Sequence, residues 1–204
     1  MKSPAYWNAL FYDLSVKLLW RKKKSQEVLR WEKACQWIPK GSSVLEIAAG
    51  TGRFYLEMLS HHVKSYLALD INPAFVSNMR SKGIHALQTD LRKDPIPDAD
   101  IVVMISALYH FKNIAPEFLK KLLTAARKRV VIVEPISRPL DKRSLYDNLR
   151  ARLVDIGEGP IFQRYSKEEL FGLCEKYAKI LHFEPLPDNE FLIVLCKKDR
   201  SKDR

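Results

Sequence analysis

The chain has 204 residues, enough for one domain with a full core. An apolar share of 47% and a charged share of 29% match an ordinary globular chain and exclude a disordered or fibrous one. Lys and Arg outnumber Asp and Glu by 35 to 24, a net charge of +11 that attracts phosphate-bearing partners or simply keeps the surface solvated.

No apolar run approaches the roughly 20 residues that span a bilayer. Tyr6, Trp7, Asn8, Tyr12 and Asp13 interrupt the apolar core that a signal peptide needs, so a cytoplasmic location is expected. Cys35, Cys174 and Cys196 are odd in number, widely spaced and without a C-x-x-C pair, which predicts buried reduced thiols. His61-His62 lacks spaced partners, and no metal site is expected. The cations gather at Arg21-Lys22-Lys23-Lys24, at Arg127-Lys128-Arg129 and in the tail from Lys197 to Arg204.

Two helical stretches open the chain. The first is aromatic, with Trp7, Phe11, Tyr12, Leu14 and Trp20. In the second, Val28, Trp31, Cys35 and Ile38 recur at helical spacing until Pro39-Lys40-Gly41 stops them. Short apolar runs then alternate with amphipathic segments. Strands are predicted at Val44–Ala48, Tyr66–Leu69, Ile84–Gln88, Ile101–Ser106 and Val130–Glu134, with helices at Arg53–Ser60, Pro73–Ser81 and Ala115–Lys128. Leu145, Leu149, Leu153 and Ile156 mark an inserted amphipathic helix, and Ser166-Lys167-Glu168-Glu169 is a capping box opening another. Two last strands, Ala178–Phe183 and Phe191–Cys196, are joined closely enough to pair antiparallel.

This alternation predicts an α/β fold: a doubly wound, mostly parallel, seven-stranded sheet with a C-terminal antiparallel strand pair and helices on both faces. The ligand crevice of such a sheet lies beyond the carboxyl ends of its strands. Glu46, Asp70, Asp90, Ser106 and Glu134 stand at or just past those ends and are expected to share one rim.

The first of those ends is Glu46-Ile47-Ala48-Ala49-Gly50-Thr51-Gly52, a strand running into a small-residue turn. Gly50 and Gly52 lack the Cβ atoms that would hinder a ligand's approach to the backbone. Arg53-Phe54-Tyr55 follows, so the third glycine of a dinucleotide fingerprint is missing, and no Gly-Lys-Ser/Thr marks a P-loop. An acid at Glu46 complements a cationic ligand and would repel a pyrophosphate.

Four segments in order resemble the motifs of the class I S-adenosylmethionine-dependent methyltransferases, in particular the small-molecule and lipid branch. They are Glu46–Gly52, Tyr66–Pro73, Gln88–Leu91 and Asp98–Phe111, and the likeness covers roughly residues 40–135. It implies S-adenosylmethionine as cofactor, without a metal. By this resemblance Asp70 accepts from the ribose hydroxyls, with Ile71 and Asn72 beside it, and Asp90 and Leu91 hold the adenine. Glu46, Ala48, Ala49, Gly50, Gly52 and Ser106 line the methionine side. Ala48 stands where the family prefers a glycine, and with Ala49 it narrows that space. Alanine tolerates a turn of negative φ.

Tyr109 and His110 follow the fourth strand and are the candidate catalytic pair, Tyr109 on the acceptor and His110 as a base near neutrality. Residues 1–40 are read as a helical lid or cap, 41–135 as the cofactor core, 136–165 as a helical insertion, 166–198 as a C-terminal helix and strand pair, and 199–204 as a charged tail. An Asn/Asp-Pro-Pro-Tyr motif for base amines is absent after the fourth strand, as is a Pro-Cys nucleophile. A small-molecule acceptor is the leading expectation. A phospholipid headgroup on an anionic membrane surface, RNA, or adenosylmethionine binding without catalysis are the alternatives.

Overall fold

The alternating apolar runs pair into a seven-stranded sheet of order β3-β2-β1-β4-β5-β7-β6 in a computed structural model of the protein. The structure describes residues 24–137 and 164–198, with Asn8 and Leu14. Strands β1 (Ser43–Ile47), β2 (Ser65–Asp70), β3 (Ala86–Gln88), β4 (Ala99–Ile105) and β5 (Ala126–Pro135) run parallel. β6 (Lys179–Leu186) and β7 (Glu190–Cys196) close the sheet, β7 lying antiparallel to both β5 and β6. The order reverses between β1 and β4, which puts a ligand crevice over their carboxyl ends.

Helices α1 (Lys24–Cys35), α2 (Pro73–Ser81), α3 (Ala115–Ala125) and α4 (Lys167–Tyr177) cover the sheet. The predicted capping box opens α4: Ser166 Oγ accepts from Glu169 N, and Glu169 Oε2 accepts from Ser166 N. Two cores result. Leu45, Met104, Val130 and Ile132 pack with Phe118, Leu122 and Leu170 on one face. Val44, Val103, Val131 and Val133 pack with Trp31, Ala34 and Ile38 on the other. Full burial of each such side chain stabilises the fold by roughly 1.5–3 kcal/mol.

The expected helix over 115–128 is shorter. It ends at Ala125 because Ala126 already pairs with Ala99, and the run from Ala126 continues as β5. The third strand begins at Ala86, since Ile84 packs beneath the glycine turn instead. After that turn, residues Tyr55–Leu59 form a π-helical turn in which Ser60 N donates to Tyr55 O at 3.0 Å. The three cysteines are free thiols, Cys174 buried but Cys35 and Cys196 only half-buried. Apart from Asn8 and Leu14, the aromatic N-terminal segment expected to form a lid lies outside the described residues, as do the amphipathic segment from Leu145 to Ile156 and the charged tail. No helix among the described residues is long and apolar enough to cross a membrane.

Candidate active site

β1 ends under a turn made of left-handed residues: Ala48 has φ 53, Gly50 φ 60 and Gly52 φ 75. Expectation is corrected at the first of them. Ala48 does not sit in a negative-φ turn; its Cβ is held in the region costing L-residues roughly 1–2 kcal/mol. Gly52 also has a packing reason to be bare. A Cβ on Gly52 would lie 2.7 Å from Ile84 Cδ1 and 2.9 Å from Met79 Cγ, so its bareness seats the turn on the core. A Cβ on Gly50 would meet nothing within 4 Å, so the space beside the turn is open at that position.

Asp70, the last residue of β2, holds this turn. Its Oδ2 accepts from Gly50 N at 2.8 Å and its Oδ1 from Asn72 N at 2.8 Å. Asn72 is wholly buried and spends its own side-chain oxygen on Ala74 N, capping α2. Ile71 O accepts from Gln88 Nε2 at 3.3 Å, which ties the ends of β2 and β3 together.

Glu46 pairs with Ala68 across the sheet, two residues below the level of Asp70, or roughly 7 Å at the usual strand rise. It is buried, and Tyr66 Oη donates to its Oε2. Burial pushes the Glu46 carboxyl up to about 8, the Tyr66 hydrogen bond opposes this, and the Asp70 charge adds to it. At neutral pH this leaves a mostly protonated acid beneath the turn. Tyr66 was not singled out from sequence. The pairing of Val44 with Tyr66 puts it on Glu46's face of the sheet, so register would have found it. Tyr66 in turn stacks on Tyr55 with ring centroids 4.2 Å apart.

Asp90 sits past β3 in a turn of its own. Its N–H donates to Asp94 Oδ2 at 2.8 Å, while its Oδ1 accepts from Arg92 N at 3.1 Å. Slight desolvation opposes it, yet the Arg92 N–H and the Lys93 ammonium hold the Asp90 carboxyl below the usual range. Leu91 is buried, with its carbonyl accepting from Lys121 Nζ at 2.8 Å. Arg92 Nη2 reaches across to His110 O at 3.1 Å, joining this turn to the one after β4.

Ser106, just past β4, is also left-handed at φ 56. A 3-10 turn over Leu108–Ile114 follows, presenting Tyr109 and His110 with ring centroids 4.1 Å apart. What fixes this turn is Glu134. Its carboxylate accepts from Leu108 N at 3.0 Å and from Tyr109 N at 2.9 Å. Burial pushes Glu134 up to about 8, against those two N–H bonds and the Arg164 charge. The five strand-end residues thus share one end of the sheet but divide between its faces. Glu46 and Asp70 lie with Tyr66 and α1, whereas Glu134 lies under the 3-10 turn.

α1 adds residues that its apolar spacing did not reveal. Arg30 Nη1 donates to Glu190 Oε1 at 2.9 Å and to Ser106 Oγ at 3.3 Å. Arg53, next to the glycine turn, makes a two-pronged bond to Glu27 at 2.7 and 3.0 Å. These bridges lash α1 to the rim from behind.

Residues 44–129 match the model of a methyltransferase domain family. A S-adenosylmethionine-dependent methyltransferase from Aquifex aeolicus superposes with TM-score 0.63 at 19% identity, over 90% of this chain and 97% of that one. The N-methyltransferase NodS from Bradyrhizobium japonicum WM9, in complex with S-adenosylhomocysteine, superposes with TM-score 0.64 at 16% identity, over 92% and 98%. Over residues 44–129 the chain carries the signature of a methyltransferase domain, and its sheet has the fold of solved S-adenosylmethionine-dependent methyltransferases. An O-methyltransferase family 2 protein from Planctomyces limnophilus in complex with apigenin shares the fold at TM-score 0.55 and 19% identity, over 79% of this chain and 52% of that one. No curated protein matches.

S-adenosylmethionine is the cofactor to test against this crevice, since NodS is described in complex with S-adenosylhomocysteine. The residues present suit it: an open glycine at Gly50, a strand-end carboxylate at Asp70, and a buried acid at Glu46 whose ionised form complements a positively charged ligand. Among the described residues, no group of three His, Cys, Asp or Glu is arranged to hold a metal ion.

Proposed function

We propose that this protein methylates a small-molecule acceptor, with Tyr109 and His110 on the acceptor side of the cofactor. The observation that supports the reading is the turn after β4 that carries Tyr109 and His110, whose backbone is held by N–H bonds from Leu108 and Tyr109 to the buried Glu134. Bound there, S-adenosylmethionine supplies a methyl group on a cationic sulfur, already activated for in-line displacement. The chain's own part is then position, which can contribute roughly 7–11 kcal/mol of a barrier.

Asp70 accepts from the ribose hydroxyls, charge-assisted bonds about twice as strong as neutral ones. Asp90 accepts from the adenine amine, with the Leu91 N–H on a ring nitrogen. Glu46 balances the positive methionine end, and Ala48, Ala49 and Ser106 bound it. Tyr109 walls the acceptor, and His110 takes a proton where the acceptor must lose one. His110→Ala should then lower kcat and flatten its dependence on pH, and full kcat at every pH would dismiss the base.

The sequence Ser106-Ala107-Leu108-Tyr109 favours a small molecule, since it offers no base-gripping prolines. Solved relatives described as N- and O-methyltransferases support either acceptor atom. The test is incubation with radiolabelled S-adenosylmethionine and cell extract split into metabolites, lipids, RNA and protein. Label in the metabolite fraction is expected. Label confined to lipid or RNA would replace the proposal, and tight cofactor binding without label anywhere would favour a non-catalytic binder.

A further inference from the structure

Arg127, Lys128 and Arg129 follow one another at the start of β5, and two of them have an acid. Arg127 Nε lies 3.3 Å and Lys128 Nζ 3.8 Å from Asp100 Oδ1. Past the register shift beside Ala99, Arg129 pairs with Ile101 and shares a face with Val131 and Val133, under α1. Its Nε is cut off from solvent without a hydrogen-bond partner, and no ion pair engages its guanidinium among the described residues. Its Cζ lies 5.9 Å from the centroid of the Trp37 ring.

Arg129 forms one wall of a groove of about 500 Å³ lined also by Lys33, Gln36, Trp37, His182 and Glu184. The acid in this groove is already engaged. Glu184 accepts from Lys33 Nζ at 2.8 Å and bonds His182 Nε2 at 2.9 Å. Trp37 and His182 rings stand 5.0 Å apart and give the groove an apolar side. With Lys33 and Arg129 against Glu184, the lining is net positive even when His182 is neutral. Arg129 is half-buried, only its Nε being cut off from solvent, and the planar fork of donors of a guanidinium matches a phosphate. The volume falls within the range of small-ligand pockets, roughly 300–1,000 Å³.

The groove is not the cofactor crevice. Arg129 precedes Glu134 by five residues along β5, roughly 17 Å of strand, away from the carboxyl-end rim. We propose that it is a second ligand site, for a small phosphate monoester whose phosphate meets Arg129 and Lys33 and whose body lies on Trp37.

The test is titration of the full chain, with S-adenosylhomocysteine saturating the cofactor crevice, against uridine 5′-phosphate, uridine and inorganic phosphate. Tryptophan fluorescence reports binding, and Trp37→Phe assigns the signal. Uridine 5′-phosphate should bind at least roughly tenfold more tightly than uridine, about 1.4 kcal/mol. Inorganic phosphate should compete. Arg129→Gln should weaken the nucleotide by a similar factor while leaving S-adenosylhomocysteine affinity unchanged. Should that variant not fold, Lys33→Gln at a half-exposed position gives the same reading. Equal binding of uridine and its phosphate, absence of saturable binding, or unchanged affinity in the variant that folds would overturn the proposal.

Discussion

Replacing Glu46 by Gln tests whether the acid beneath the turn responds to the cofactor's charge. With its carboxyl at about 8, Glu46 is protonated about ten to one at pH 7. If the bound cation requires the ionised form, each cofactor molecule displaces about 0.9 of a proton from Glu46 at pH 7. Ionising the group costs about 1.4 kcal/mol at pH 7, about twice that at pH 6, and almost nothing above pH 9. Cofactor affinity should therefore rise by about fiftyfold from pH 6 to pH 8 through this group. The ligand's own amino group titrates near 8 and works in the opposite direction, so the informative quantity is the difference from Glu46→Gln. Calorimetry in two buffers of different ionisation heat counts the protons directly. Equal proton release by wild type and Glu46→Gln would refute the coupling, whatever the two affinities are.

Four further outcomes are expected. Gly52→Ala should lower stability by about 2–4 kcal/mol in denaturant melts, combining crowding against Ile84 and Met79 with left-handed strain; Gly50→Ala should show only the strain, with its larger effect in cofactor affinity. Ala48→Gly should raise stability by about 0.5–1 kcal/mol, the relief at φ 53 outweighing the looser unfolded chain, and a loss on the same melts would contradict that balance. Glu134→Gln sets an amide donor against the Leu108 or Tyr109 N–H, so about 1–3 kcal/mol of stability and a fall in kcat should go together, and unaltered turnover would separate the turn from the chemistry. Because Glu46 and Glu134 hold their protons to about 8 when folded, the unliganded chain binds more protons folded than unfolded above the ordinary Glu range; its stability should fall as pH rises from about 5 through 8, and thermal melts that improve over that window would reverse the sign.

Much of this was legible along the chain because each buried strand is a short apolar run ending at an acid or small residue. Pro73–Ser81 lies where proline and helical spacing put it, and Ser166 caps α4 as its box predicts. What escaped was set by contacts between segments distant in sequence. Gly52 and Gly50 look alike in a motif, yet one faces Met79 and the other open space. Ala48 carries no local sign of its positive φ. Arg30 and Glu27 read as the polar side of an amphipathic helix until α1 is laid against β7 and Arg53.

The π-helical turn at Tyr55–Leu59 amounts to one residue more than an α-helical path would need. Deleting one residue within it would let the helix rewind and turn the preceding or following side chains by about 100°. Tyr55 would leave Tyr66, and Tyr66 would be less firmly aimed at Glu46. The proton affinity of the cofactor crevice would thus depend on the length of a helix that need not touch the cofactor, making a single-codon deletion a route to retuning its working pH.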